Sequence, residues 1–283
     1  MSKVRIMLLT ALAMLAFAGN SLLCRMALKH TSIDAASFTT IRLLSGAIML
    51  ALVVRCRRGP SAGGGNWPSA LALFTYAAGF SFAYVSLSAA TGALLLFGAV
   101  QATMIAYGVW RGERLLRWQL LGFVLALGGL VGLMLPGLAA PPLPSALLML
   151  GAGVAWGVYS LRGKGVSDPT GVTAGNFLRA VPITAVLSLL MLNPVALDRA
   201  GIGYAVVSGA LASGLGYAIW YQALPALKAT QAATVQLSVP VIAALGGIAF
   251  LGEPLSWRMV LASMAILGGI ALVILEKKPQ VGQ

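Results

Sequence analysis

The sequence predicts an all-α membrane protein of ten transmembrane helices in two inverted five-helix repeats. Three observations carry that expectation. Hydrophobic residues make up 59% of the 283 positions and charged residues only 9%, against about 25% charged in soluble domains. The apolar residues come in runs of roughly 20, the length that spans a bilayer as helix. A segment beginning Gly112-Glu113 returns 140 residues later. A soluble chain of this length could not cover its surface with so few charges.

The spans follow in order. The first, 6–28, imitates a secretory signal: Lys3 and Arg5, an apolar stretch, then Ala16-Phe17-Ala18 in a small-x-small pattern. The apolar run continues through to Arg25, so it reads as an uncleaved first helix. Helix 2 covers 34–54. The turn-forming stretch RRGPSAGGGNWP leads into helices 3 (68–87), 4 (91–110) and 5 (117–137). PGLAAPPLP separates these from helix 6 (144–161), GKGVSDPTG precedes helix 7 (172–192), and NPVALDRAG precedes helix 8 (201–223). Helices 9 (230–251) and 10 (256–275) complete the set, with a cytoplasmic tail at 276–283. The organisation is thus a first repeat over 1–137 and a second, inverted one over 144–275.

A net charge of +13 in a soluble chain would suggest nucleic acid. The basic residues, however, cluster between apolar runs, which points to membrane orientation. With the N-terminus in the cytosol, thirteen lie inside (Lys3, Arg5, Arg55, Arg57, Arg58, Arg111, Arg114, Arg117, Arg162, Lys164, Lys228, Lys277, Lys278). Three lie outside (Lys29, Arg199, Arg258), and Arg25, Arg42 and Arg179 fall within spans. This positive-inside asymmetry places both termini in the cytoplasm. Cys24 and Cys56 form no disulfide framework.

The repeat rests on GERLLRWQLLGFVLALGGLVGL (112–133) aligning without gaps on GEPLSWRMVLASMAILGGIALV (252–273), with seven of 22 positions identical. Apolar bias alone matches leucines; it does not place Gly-Glu and Gly-Gly together in register. Phe38–Arg42 resembles Gly175–Arg179, and Ala18-Gly19-Asn20 resembles Trp156-Gly157-Val158. Five helices per half is odd, so the second copy enters the membrane from the opposite side. Inverted repeats are a hallmark of secondary transporters, whose site lies between the halves near the midplane.

On these spans, the Gly-Glu starts at 112–113 and 252–253, the arginines at 42 and 179, and Trp156-Gly157, nearly the whole chain resembles the drug/metabolite transporter superfamily in its ten-helix EamA-like branch. The first half departs from the branch's usual Trp-Gly, having Ala18-Gly19. The resemblance implies alternating-access export or exchange of small metabolites across a bacterial inner membrane, often amino acids; YddG-type aromatic amino acid exporters are a candidate subgroup.

A midplane site should show as polar or aromatic residues at helix centres. Half one offers Phe17, Asn20, Phe80, Tyr84 and Gln101; half two offers Trp156, Tyr159, Tyr217, Trp220 with Tyr221, and Gln236. Corresponding helices supply matching sets, which suits a small, partly apolar, hydrogen-bonding solute. For the amides, and for Asn176, interhelical bonding competes with ligand contact. Trp67, Trp110, Trp118 and Trp257 read as the interfacial belt, and Trp220 and Tyr221 are divided between belt and cavity. Arg42 and Arg179 either meet a substrate carboxylate or, as their related positions favour, serve the architecture; Arg25 reads as snorkelling. Gly128 and Gly132 form a GxxxG spacing, and Gly246-Gly247 and Gly268-Gly269 add small surfaces, for a helix 5–10 contact or an oligomer contact. Pro182 and Pro240 read as kinks near the centres of helices 7 and 9.

The acids Asp34, Glu113, Asp168, Asp198, Glu253 and Glu276 all fall at helix ends or in loops. Glu113 and Glu253 read as partners of the positive ends of helices 5 and 10. No buried carboxylate relay is visible, so facilitated export or exchange is the expectation, with no metal and no cofactor. The one histidine, His30, lies in a predicted outer loop. GVYSLRGKG ends in Gly-Lys but has five residues between its glycines and no Ser or Thr after the lysine, so it is not a nucleotide loop. The expected partners are a small-molecule substrate and the lipid bilayer, not nucleic acid, in a monomer or homodimer. A lipid-carrier flippase of the same fold and a membrane-embedded enzyme are the alternatives; the latter would need a clustered acid, histidine or metal set.

Overall fold

Helix starts are set by short polar side chains placed just before apolar runs. Ser2, Asp34, Asn66, Ser88, Asp168 and Asp198 each accept a bond from a backbone N–H of the first turn that follows. The computed structural model describes residues 2–57, 64–112, 114–135, 137, 140–191, 198–227, 232 and 235–275. Among these, the helices are α1 Lys3–His30, α2 Ala35–Cys56, α3 Trp67–Tyr84, α4 Ala89–Trp110, α5 Arg117–Met134, α6 Leu143–Arg162 and α7 Pro169–Leu190. Then come α8 Arg199–Ala226, α9 Ser238–Leu251 and α10 Trp257–Leu275. Eight of the described helices are long and apolar enough to cross a membrane. The exceptions are α3, rich in aromatic and hydroxyl residues, and α9, described over 14 residues. Glu113 lies outside the described residues, as do Arg58, Lys228, Glu276, Lys277, Lys278 and the tail.

The bundle presents its large apolar side chains outward. Leu12, Leu15, Ile48, Val124, Val131, Leu189, Leu245 and Met264 are exposed, a continuous apolar surface that only lipid covers well. Trp67, Trp110, Trp118 and Trp257 are exposed at helix ends, as the belt reading expects. The interior combines many alanines and glycines with leucines such as Leu43, Leu50, Leu73, Leu94 and Leu95 and aromatics such as Phe38, Phe80 and Phe177. The most enclosed helix is α4, buried from Ala89 to Gln101 except at Thr91.

The packing has internal pseudo-symmetry. α5 packs on α10, α2 on α7 and α4 on α9; α3 meets α6 as α8 meets α1, α4 meets α6 as α9 meets α1, and α3 meets α7 as α8 meets α2. Each pairing maps onto itself or another when every helix is replaced by the one five places along.

The α5–α10 contact uses different glycines from the expected ones. A Cβ on Gly122 would strike the carbonyl of Gly269, and one on Gly269 that of Gly122, whereas Gly128 and Gly132 have nothing within 4 Å. The GxxxG spacing faces open space because it lies on the other side of α5. Gly122→Val should therefore lower stability by about 1–3 kcal/mol through overpacking. Gly128→Val should stay within about 0.5 kcal/mol, as thermal unfolding of the two variants in detergent would show.

Pro182 stands inside α7 on its exposed side. Pro240 is the third residue of α9, and the helical residues Val235 and Gln236 precede it across a turn at Leu237, so the helix is interrupted where the missing N–H would have bonded. α8 contains a π-helical segment, Ser208–Leu215, that the regular period did not anticipate.

All four acids among the described residues hold helix N-termini. Asp34, Asp168 and Asp198 cap the helices they precede. Backbone N–H groups of Gly201 and Ser32 hold the Asp198 carboxyl below its usual range, which ties the α1–α2 turn to α8. Glu253 serves α4 rather than its own helix: its Oε2 accepts from the Ala89 N–H at 2.7 Å. The chain between Gly252 and Trp257 is not helical, so Glu253 sits a turn too early for α10.

Candidate functional site

A cavity of about 780 Å³ runs between α1, α3, α4, α6 and α8. Nine of the ten sequence-predicted residues line it: Phe17 and Asn20 on α1, Phe80 on α3, Gln101 on α4, Trp156 and Tyr159 on α6, Tyr217 and Trp220 on α8, and Gln236 before α9. Trp220 is 6% exposed, so it belongs to the cavity and not to the belt. Tyr84 does not reach the cavity. It is fully buried beyond Phe80, its ring edge-on to that residue at 4.7 Å and its hydroxyl donating to the Ala89 carbonyl at 3.3 Å.

Trp156 is the hub of the aromatic wall. It stacks on Tyr159 at 5.3 Å and Tyr217 at 5.2 Å, and meets Tyr76 at 4.7 Å. Phe17 closes the opposite flank against Tyr217 and Trp220. Such faces offer dispersion and edge contacts to an apolar or aromatic solute.

Beneath this wall lies a polar network that joins four helices. Ser208 donates to Asn20 Oδ1 at 2.6 Å, and Asn20 Nδ2 donates to the Tyr76 hydroxyl at 3.3 Å. Arg42 Nη2 donates to the same hydroxyl at 3.1 Å. Asn20 therefore binds helices together while also lining the cavity. Asn176 is interhelical only: it accepts from the Asn66 N–H and donates to Tyr159.

The two repeat-related arginines differ. Arg179 bonds back to Gly175 of its own helix. Arg42 is 1% exposed, with its guanidinium 4.7 Å from the Phe80 ring centre and 5.3 Å from that of Tyr76. Its Nε and Nη1 have no partner among the described residues.

One end of the cavity is open and the other latched. Tyr107, Arg111 and Lys164, at the ends of α4 and α6, line the mouth. At the other end Arg25 pairs with Glu253 at 3.0 Å and donates to the carbonyls of Tyr84 and Val85 at 2.9 Å. Arg25 is thus a partly buried tie rather than a snorkelling side chain. These bonds put the end of α1 beside the start of α4, so the mouth shares its end of the bundle with the start of α1. Sequence reasoning missed Tyr76, Ser208 and Ser213. The spacing Tyr76-Phe80-Tyr84 held a signal for the first, since residues four apart share a helix face.

An all-α membrane bundle with an enclosed aromatic and amide-lined cavity, open at one end and tied at the other, defines a small-molecule membrane transporter. The chain belongs to the EamA-like transporter family, whose profile matches twice, at residues 4–135 and 143–275. It is accordingly a transporter of the drug/metabolite superfamily and not an enzyme. It is 62% identical over 271 residues to an uncharacterized protein of Pseudomonas aeruginosa, covering 95% of this chain and 94% of that one. A threonine/homoserine exporter of Salmonella typhimurium is 35% identical over 150 residues, which span 50% of this chain and 49% of the exporter. A crystal structure with a TM-score of 0.67 and 19% identity, covering 96% of this chain and 98% of its own, shares the fold.

Proposed function

We propose that the protein exports or exchanges amino acids, including apolar and aromatic ones, across the bacterial inner membrane by alternating access. The observation that carries this reading is the Trp156-centred cavity between helices of the two halves. The ten helices form two inverted repeats, 1–137 and 144–275, with 276–283 as a cytoplasmic tail; the double family match and the pseudo-symmetric packing support this. The excess of basic residues in the loops on one side supports a cytoplasmic location for both termini. The open mouth then faces the cytoplasm, the side from which an exporter loads. Facilitated movement fits a cavity lined by no carboxylate among the described residues.

The test is uptake into proteoliposomes with a panel of apolar, aromatic and hydroxylated amino acids, amines and nucleosides. Amino acids should equilibrate without an imposed ion gradient, and gradient-dependent accumulation would overturn facilitated transport. Trp156→Ala should weaken half-saturation about tenfold, the loss of one stacked aromatic face and its contacts. Unchanged affinity in that variant would remove Trp156 from the site.

A further inference from the structure

We propose that Tyr76, backed by Arg42, is the carboxylate-recognition donor of the cavity, so that the transporter selects solutes carrying a carboxylate. This deepens the amino-acid reading and rests on it. The argument begins with the Tyr76 hydroxyl. Its oxygen accepts two bonds, from Arg42 Nη2 at 3.1 Å and Asn20 Nδ2 at 3.3 Å. A phenol oxygen so occupied has its proton left to give. Ser208 fixes the Asn20 amide by donating to Oδ1, which keeps the Nδ2 side toward Tyr76. Tyr76 lines the cavity, so the proton it offers is offered to a ligand.

Arg42 supplies the charge. A guanidinium 1% exposed calls for a counter-charge. The four described acids are all committed to helix N-termini, and no ion pair to Arg42 exists among the described residues. The faces of Phe80 and Tyr76 offset only part of that demand. Ser213, 2% exposed and lining the cavity, has a hydroxyl without a partner. Arg111 and Lys164 line the mouth. Basic side chains therefore stand at the entrance and, behind Tyr76, at the back of the floor, while the hydroxyls of Tyr76 and Ser213 line the cavity itself. A planar carboxylate meets this arrangement by accepting from Tyr76 and Ser213 while its charge answers that of Arg42. Arg42 acts through Tyr76 and is a positioning residue.

The experiment is equilibrium binding to the purified full chain, comparing a transported amino acid with its carboxamide and its amino alcohol. Wild type should prefer the acid by about 10- to 100-fold, the size of a hydrogen bond to a charged group. Tyr76→Phe keeps the ring against Trp156 and should bring the ratio near one. Arg42→Gln should do the same, with Arg42→Lys restoring part of the preference. A wild-type ratio near one, or a wild-type ratio retained in folded Tyr76→Phe, would overturn the inference while leaving amino-acid transport standing. A simple monocarboxylate such as benzoate distinguishes the other failure. If no amino acid binds but benzoate does, and Tyr76→Phe abolishes that binding, the carboxylate site stands and the amino-acid reading falls. Inorganic phosphate or chloride binding with the same Tyr76 dependence, in place of carboxylates, would overturn the class of ligand.

Discussion

Replacing Glu253 with alanine should unlatch the end of the bundle opposite the cavity mouth. The carboxylate joins three separate pieces. Its Oε1 takes the Arg25 Nε bond at 3.0 Å, its Oε2 takes the first N–H of α4 at 2.7 Å, and Arg25 in turn holds the last carbonyls of α3. Both side chains are largely enclosed, at 12% and 7% exposure. Removing one member of such a pair leaves a buried, uncompensated charge, at a cost of about 3–5 kcal/mol. That cost falls on the latched state, because a conformation open at this end returns Arg25 to water. Populations should therefore shift toward the state open at this end. Cys24 is a built-in reporter: it is fully buried, precedes Arg25, and is one of only two cysteines. In a Cys56→Ser background its modification by a membrane-impermeant thiol reagent should be slow with Glu253 in place. Glu253→Ala should speed it at least tenfold, and Glu253→Gln, which retains an acceptor for α4, should fall between. Equal rates in all three would show that the ion pair does not hold this end shut.

That pair also marks where the sequence stops being readable. The helices were legible because each is an apolar run, and six of them have a capping side chain in front. Most of the cavity was legible because aromatics and amides at mid-span have few other reasons to be there. Glu253 was readable only as a charge near its own helix; its partner Arg25 is 228 residues away, and nothing local announces that distance. Tyr76 and Tyr84 share a face of α3, yet which one meets the cavity is decided by α4. Gly92 leaves room for the Tyr84 ring, and a Cβ there would collide with it. Arg42 and Arg179 occupy matching places in the repeat but have unlike neighbours. α2 lies against the small-residue π segment of α8, whereas Arg179 turns back to its own helix. The glycines followed the same logic: spacing nominated Gly128 and Gly132, while the crossing of backbones selected Gly122 and Gly269.

The same dependence on tertiary contact makes Gly209 the most sensitive position in α8. It lies in the π-helical segment Ser208–Leu215, and a Cβ there would overlap the Arg42 carbonyl and the Ser45 hydroxyl. The obstruction is mutual, since a Cβ on Gly46 would come 2.7 Å from the Phe177 ring and 3.0 Å from the Gly209 carbonyl. Backbone on one side cannot step aside as a flexible side chain can, so α2 and α8 must separate. Gly209→Val should destabilise the protein by about 3 kcal/mol, at the upper end of overpacking costs. The damage should also reach the cavity, because the displaced neighbours are functional in position. Ser208 is the next residue and orients Asn20, and Arg42 is the residue whose carbonyl is pushed. Substrate affinity should therefore fall together with the unfolding temperature. Gly203→Val is the matched control: it lies on the same helix with nothing within 4 Å and should change neither. Separate responses, with stability lost and affinity intact in Gly209→Val, would mean that the network beneath the cavity survives the parting of the two helices. In that event the π segment's role would be confined to packing, although such segments occur frequently at functional sites.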